Sequence, residues 1–334
     1  MSDITRNDDH TYYEKNGVKY PPVSTVTGYR DVDTTGLEYW RDNNDGSDDA
    51  PYHNHLFWYA RHRGTLTHYD CLNPLADREL LSADESESAT ALMGGPREDE
   101  IAEWDDGVPT DMDSIAYSIA ANHEHEYVDT RADDNEMRVF DLLNEDVAWA
   151  KERFNEVIEW LGIDPIAVEQ YLVHEDYYYG GQCDLLYEDA NGNTVLADLK
   201  TSSGLREKHV LQAIAYKRMV EDGTISLEHD STENDTSETG RDCTEVPIDT
   251  IDRCEIIRLN ADKQDVMVHG SDYPDHVDRD DDRYEAATFY SDYYGDYTYS
   301  NDSEIWAQFR DLLKQCHSDV QFVEDFDIEV NVDG

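Results

Sequence analysis

Residues 180–216 read GGQCDLLYEDANGNTVLADLKTSSGLREKHVLQAIAY, and their pattern predicts a β-hairpin followed by a helix. Residues 184–187 and 194–200 are short, partly alternating apolar segments of the kind that form strands. Between them, Asp189 and Gly192 occupy the first and fourth positions of a type I turn. A three-residue loop that ends with Gly192 in the left-handed conformation would pair Asp189 with Asn193 and so fix the register of the hairpin.

This register places Asp184 directly opposite Asp198. A two-residue Asn-Gly turn would place them on opposite faces, because a slip of one residue inverts a strand. Like charges that face each other destabilise a sheet, and neither strand contains an arginine. A hard divalent cation between the carboxylates would remove the repulsion, and Mg²⁺ and Mn²⁺ prefer such oxygen ligands. Lys200 follows two residues after Asp198 and is expected on the same face, an arrangement that suits phosphodiester hydrolysis.

Three motifs follow one another in this segment: Gly181-x-x-Asp184, Asp198-Leu199-Lys200-Thr201 and Gln212-x-x-x-Tyr216. Together they resemble the RecB-like, phage-type exonuclease branch of the PD-(D/E)xK nuclease superfamily. The resemblance implies an α/β fold with a restriction-endonuclease-like core, in which helices flank a central, mixed, twisted sheet and the active site lies where the hairpin diverges. It also implies a DNA nuclease that uses Mg²⁺ or Mn²⁺ and acts as an exonuclease rather than a restriction enzyme. An ordinary hairpin with solvated acids is the alternative, because acidic residues are frequent in this chain.

The resemblance also assigns site residues outside the hairpin. Residues 60–68 read ARHRGTLTH and resemble the Gly-x-x-x-His motif of the family, in which the histidine lies on a helix and binds the metal. Glu169, in a strand predicted over residues 167–173, matches a position that often lies beside the metal; it is alternatively a surface acid of an edge strand. The expected metal ligands are His68, Asp184, Asp198, the Leu199 carbonyl and, in an assisting role, Glu169. The expected catalytic residues are Asp184, Asp198 and Lys200, of which Lys200 orients the nucleophile.

Two groups of residues are candidates for contact with DNA. On the helix predicted over residues 205–220, Lys208, Gln212 and Tyr216 form one stripe at four-residue spacing. Arg61 and Arg63 belong to the densest basic group of the chain and are candidates for binding phosphates. Pairing of these arginines with the abundant acids is an equally good interpretation.

The charge of the chain indicates its environment. The 334 residues include 78 acidic and 26 basic ones, for a formal charge of −52 at pH 7. The many negative side chains repel one another in dilute salt, but in molar salt each charge is screened within about 3 Å. The composition resembles that of proteins from salt-accumulating haloarchaea or their viruses, which implies a cytoplasmic protein in a high-salt host.

The cysteines and the apolar segments exclude other classes. The five cysteines contain no CxxC pair, which argues against a zinc ribbon or a disulfide framework. Some RecB-like nucleases hold an iron–sulfur cluster on late, clustered cysteines; these are missing here, so no iron–sulfur cluster is predicted. No signal peptide and no apolar run of membrane-spanning length is apparent, so no contact with a membrane is expected.

Two organisations of the chain are consistent with these patterns. Residues 1–135 would form a mostly helical portion that begins with a frayed segment over residues 1–20 and supplies His68; residues 136–334 would form the nuclease core, or the two would be one continuous domain. The core is expected to contain helices over 139–161 and 305–313, a strand over 254–259 and an acidic insertion at 222–250. No Gly-Lys dipeptide, and so no P-loop, occurs, so a helicase or recombination protein would be a separate partner. The alternative function is a catalytically silent DNA-binding module that retains the fold.

Overall fold

The computed structural model describes residues 4–6, 11–29, 53–76, 139–222, 224–225, 250–286, 288–290 and 299–318. It begins with a three-stranded antiparallel sheet of β1 (Ile4–Arg6), β2 (Tyr13–Lys15) and β3 (Val18–Tyr20). Positive φ angles at Asn16 and Gly17 form the tight turn between β2 and β3. Tyr13 and Tyr20 are buried in a small core with Val173. The prediction of a frayed start over residues 1–20 is therefore wrong for these strands, because their aromatic side chains pack against the main sheet.

The main sheet has seven strands in the order β10-β9-β8-β6-β5-β4-β7. It is mixed: β6 and β8 are parallel, as are β9 and β10, and the other neighbours are antiparallel. Its strands are β4 (Asp164–His174), β5 (Tyr179–Glu188), β6 (Thr194–Lys200), β7 (Thr224–Ile225), β8 (Arg253–Asn260), β9 (Asp265–Gly270) and β10 (Tyr284–Ala286).

Helices cover both faces of this sheet. They are α1 (Val23–Gly28), α2 (His53–Leu72), α3 (Val139–Leu161), α4 (Glu207–Asp222) and α5 (Asp302–Ser318). One apolar core joins the sheet to α1, α4 and α5, and a second core joins the opposite face to α2 and α3. The fold is therefore mixed α/β, as the sequence predicts, and α3 ends at Gly162, whose φ is 66°.

The hairpin adopts the predicted turn. Asp189 N donates to Asn193 O at 2.9 Å, Gly192 N donates to Asp189 O at 2.9 Å, and Gly192 has a φ of 82°. The Asp189 carboxylate also accepts hydrogen bonds from Asn191 N and Asn193 N. The ladder then runs to the pair formed by Leu185 and Ala197. Asp184 and Asp198 are next in register, so local turn chemistry brings the two acids together.

Parts of the predicted organisation lie outside the described residues. Within residues 1–135 the structure describes three strands, α1, α2 and one short 3₁₀ segment, so a mostly helical portion stays a prediction. The acidic insertion at 222–250 falls almost entirely outside the described ranges. In the part of the chain that is described, no helix is long and apolar enough to cross a membrane.

Candidate functional site

Three carboxylates form one row across three neighbouring strands. Glu169 on β4 lies opposite Asp184 on β5, because the residues on either side of Glu169 pair with the residues on either side of Asp184. Asp184 in turn is next in register with Asp198 on β6. Asp184 and Asp198 are 8% and 2% exposed. A row of three acids at the centre of a sheet is costly without cations, because buried carboxylates repel one another and lose their hydration.

Glu169 enters this row through an unusual backbone conformation. Its φ is 51°, and it interrupts the β4–β5 ladder while its neighbours on both sides remain paired. A residue with a Cβ rarely adopts a positive φ, and holding one costs about 1–3 kcal/mol. The Glu169 carboxylate is held by a hydrogen bond from Gln182 Nε2 to Glu169 Oε2. Glu169 and Asp184 lie opposite each other, so their side chains share one face of the sheet.

His68 on α2 completes a compact group of possible metal ligands. Its Nδ1 atom lies 3.7 Å from Asp184 Oδ2 and 3.8 Å from Glu169 Oε1. Among the described residues, His68, Glu169 and Asp184 form the one group of three or more such side chains whose ligand atoms lie within 4.8 Å of one another. Asp184 Oδ2 also accepts a hydrogen bond from Leu199 N at 2.7 Å, which fixes this carboxylate against β6. The prediction that His68 lies on a helix is confirmed.

Asp198 makes a different contact from the one predicted for a simple ligand cluster. Its Oδ2 atom lies 2.5 Å from Lys200 Nζ. The approach is an ion pair without hydrogen-bond alignment, since Asp198 Oδ2 is buried and has no well-oriented donor. Lys200 therefore joins the row at Asp198, whereas His68 faces Glu169 and Asp184. The role of the Leu199 carbonyl as a ligand stays a prediction.

The pKa values show that the row carries an excess of negative charge. Burial raises the pKa of Asp198 to about 6, against the opposing attraction of Lys200. Burial likewise raises the pKa of Asp184, although His68 and Lys200 act against it. Burial alone would lower the pKa of His68, but Asp184 and Glu169 together raise it to about 9. The aspartates of the site therefore bind protons more readily than free carboxylic acids do, because His68 and Lys200 do not offset the whole effect of burial.

The donor set fits a hard divalent cation. Glu169 and Asp184 offer carboxylate oxygens, His68 offers one imidazole nitrogen, and Asp198 retains a buried oxygen without an aligned donor. Carboxylate oxygens with at most one imidazole suit Mg²⁺ or Mn²⁺ better than a softer metal. A bound divalent cation would replace the proton that the acids hold on His68.

Three cations, one on α2 and two around the start of α4, pair with no acid of the described residues. Arg61 on α2, Arg206 just before α4 and Lys208 in its first turn are exposed, and no carboxylate in the described ranges lies within 4.0 Å of them. Loss of hydration, and then the charges of Arg206 and Lys200, lower the pKa of Lys208. A Cβ at Gly64 would lie 3.5 Å from Thr201 Oγ1, so α2 runs beside the loop before α4. In a chain of charge −52, cations left without acids are candidates for binding an external anion.

Two predicted DNA contacts are wrong. Arg63 is 5% exposed and pairs with Asp146 and Asp262, so it joins α2 to α3 and to the end of β8 instead of facing a phosphate. Tyr216 is 9% exposed and packs in the core, where its ring covers Gly181. A Cβ at Gly181 would lie 2.5 Å from Tyr216 Cε1, so the glycine is required by this contact. A ring held in this way has no free face on which a base could stack.

The other predicted contacts remain available. Gln212 is half-buried and Lys208 is exposed on the same side of α4. Arg206 was not singled out by the sequence, because it precedes the helical stripe on which Lys208 was recognised. Gln182 was also missed, since one glutamine within a strand carries no signal by itself.

No protein-family model matches the chain, and no curated protein matches it at a significant level. Function is therefore inferred from the geometry of the site.

Proposed function

We propose that this chain is a divalent-metal-dependent deoxyribonuclease with a restriction-endonuclease-like core, from the RecB-like branch of the PD-(D/E)xK superfamily. The observation that carries the proposal is the row of Glu169, Asp184 and Asp198, in which both aspartates are buried, His68 faces Glu169 and Asp184, and Lys200 pairs with Asp198. The row has three acids for two basic groups, and a divalent cation would offset the remaining negative charge. The same residues match the order of the family motifs along the chain.

Each residue has a role that follows from its position. His68, Glu169 and Asp184 would hold the cation, and Asp198 and the Leu199 carbonyl would complete its coordination. When bound, Mg²⁺ or Mn²⁺ supplies positive charge to the phosphodiester under attack. Lys200 is held in its charged form, because the attraction of Asp198 outweighs the effect of burial and raises its pKa. It is therefore placed to orient the attacking water or to stabilise the negative charge that develops on the phosphate.

The surroundings favour a polyanionic substrate. Lys208 lies close enough to Lys200 and to Arg206 to interact with both electrostatically, and Gln212 follows Lys208 one helical turn later. Arg206, Lys208 and the exposed Arg61 on α2 pair with no acid of the described residues and are suited to phosphates of the DNA backbone. Counterion release contributes little to affinity in molar salt, so contacts to the metal and to these few cations would carry the binding. We propose exonuclease activity in the high-salt cytoplasm of a haloarchaeon or during replication of one of its viruses. DNA unwinding would come from a separate helicase or recombination protein.

A nuclease assay in molar KCl tests the proposal. Purified chain is incubated with linear and with circular DNA, each with Mn²⁺, with Mg²⁺ or with chelator. We expect metal-dependent degradation of linear DNA and its loss in Asp198→Ala and Lys200→Ala, by at least about 1,000-fold, which corresponds to about 4 kcal/mol of transition-state stabilisation. Lys151→Ala, which removes an exposed lysine on α3, is the matched control and should keep full activity.

The outcomes separate the alternatives. Cleavage of circular DNA would contradict the exonuclease assignment. Binding of DNA without cleavage under any metal would indicate the catalytically silent module. Full activity in either site variant would show that the nuclease site lies elsewhere.

A further inference from the structure

The Glu169 carboxylate has two oxygens with different surroundings. Oε2 accepts the hydrogen bond from Gln182 Nε2, and Oε1 faces His68 Nδ1 at 3.8 Å. Gln182 and Tyr171 are paired across the β5–β4 ladder, two positions beyond Glu169. This hydrogen bond holds one carboxylate oxygen of a residue whose backbone is strained.

The orientation of the Gln182 amide is fixed by a residue from the other sheet. Arg6 Nη1, on β1, donates to Gln182 Oε1 at 3.2 Å. An amide whose oxygen faces a guanidinium must present its NH₂ group on the opposite side, which here is the side of Glu169. Reversal of the amide would place two acceptors against each other at Glu169 and two donors against each other at Arg6.

The three-stranded sheet packs against the main sheet close to the contact between Arg6 and Gln182. The guanidinium of Arg6 also lies 5.9 Å from the centre of the Tyr171 ring, and Tyr171 packs edge-on against Tyr13 at 5.6 Å. Gly180 N, at the start of β5, donates to Pro21 O at 3.0 Å just after β3. A Cβ at Gly180 would lie 3.1 Å from Tyr13 Cβ, so the close approach of the two sheets depends on this glycine.

We infer that Arg6 and Gln182 are positioning residues for the metal centre: the N-terminal sheet holds Gln182, and Gln182 holds Glu169 in the strained conformation that binds Mg²⁺ or Mn²⁺. The inference rests on the proposed metal centre and adds a specific dependence of its affinity on residues that do not touch the cation. Outer partners of metal ligands typically change metal affinity by about 10–100-fold.

The test measures Mn²⁺ affinity of the full chain in molar KCl by electron paramagnetic resonance, which requires no cleavage. Gln182→Met keeps the size of the side chain but cannot donate, and we expect it to weaken Mn²⁺ binding about 10-fold. Arg6→Ala should weaken binding several-fold, and Arg6→Lys should restore part of the loss. Thr5→Ala, on the exposed side of the same strand, is the matched control and should bind as the wild type does.

A double-mutant cycle separates positioning from general destabilisation. In a Glu169→Ala background, Gln182→Met should cost less than about 2-fold in Mn²⁺ affinity, because the side chain that accepts its hydrogen bond is already absent. An equal loss in both backgrounds would overturn the inference, as would wild-type affinity in both Gln182→Met and Arg6→Ala. Should Arg6→Ala fail to fold, the Gln182 cycle decides alone. A wild-type chain that binds no Mn²⁺ would overturn the proposed function together with the inference, whereas unchanged variants overturn the inference alone.

Discussion

Two buried charged clusters lie on the same sheet and differ in how completely their acids are satisfied. The closed cluster comprises Asp189, Arg253, Glu255, Tyr187 and Tyr284. Arg253 donates to Glu255 at 2.7 Å and to Asp189 at 3.2 Å, and the Tyr187 hydroxyl donates to Glu255. The Tyr284 hydroxyl lies within hydrogen-bonding distance of both Glu255 and the Asp272 carbonyl. The open cluster comprises His68, Glu169, Asp184, Asp198 and Lys200, and it leaves Asp198 Oδ2 without an aligned donor.

Buried carboxylates are hydrogen-bonded to different extents in the two clusters. In the closed cluster every carboxylate oxygen of Glu255 has a donor, so the acids hold β5, β8 and β10 together. In the open cluster three acids share His68 and Lys200, the ion pair between Asp198 and Lys200 lacks good hydrogen-bond geometry, and Glu169 has a strained backbone. We propose that a bound cation supplies the missing charge there.

The largest effect is expected where the closed cluster loses its only arginine. Arg253→Leu leaves Asp189 and Glu255 buried without their shared cation, and we expect a loss of about 3–5 kcal/mol in the free energy of unfolding. Chemical denaturation in molar KCl measures it. Lys200→Met in the metal-free open cluster is the comparison and should cost clearly less, because Lys200 is partly exposed and pairs with one acid. Equal losses would mean that the two clusters are both structural.

Opposite dependences on pH should distinguish the two clusters. Asp198 has a folded pKa raised to about 6, mainly by burial, so its contribution to stability is present at low pH and is lost as the pH rises through 6. Metal-free Asp198→Asn should therefore become more stable than the wild type above pH 6, by about 2 kcal/mol at pH 7.5. This difference in the free energy of unfolding between the variant and the wild type should decrease toward pH 4.5.

The contribution of Asp189 to stability should depend on pH in the opposite direction. Burial would raise its pKa, but hydrogen bonds from Asn193, Asn191 and Arg253 outweigh it and lower the pKa below its usual value. Its contribution is present above the unfolded pKa and is lost as the pH falls through the folded pKa. Asp189→Asn should therefore be less stable than the wild type at pH 7.5, by a margin that narrows in acid. Thermal unfolding at a series of pH values, in chelator, compares both variants, and the same sign for both would remove the distinction.

The sequence predicts the individual strands and helices of this fold better than the contacts between them. The hairpin register follows from four turn residues, and the apolar spacing of α3 predicts its ends, because both depend on local chemistry. The positive φ of Glu169 and its hold by Gln182 and Arg6 depend on packing between two sheets, for which one sequence carries no local signal. Tyr216 was assigned to DNA for the same reason: a helical stripe does not reveal that Gly181 lies beneath it.

The central claim is that the open cluster binds a divalent cation, and Mn²⁺-dependent thermal unfolding in molar KCl tests it most directly. The account predicts that the melting temperature of the wild type rises with Mn²⁺, by the equivalent of about 2.7 kcal/mol at a concentration 100 times the Kd. Asp189→Asn should keep this response, and Asp184→Asn and Glu169→Gln should lose most of it. A wild-type melting temperature that does not change with Mn²⁺, or an equal rise in Asp184→Asn, would contradict the account.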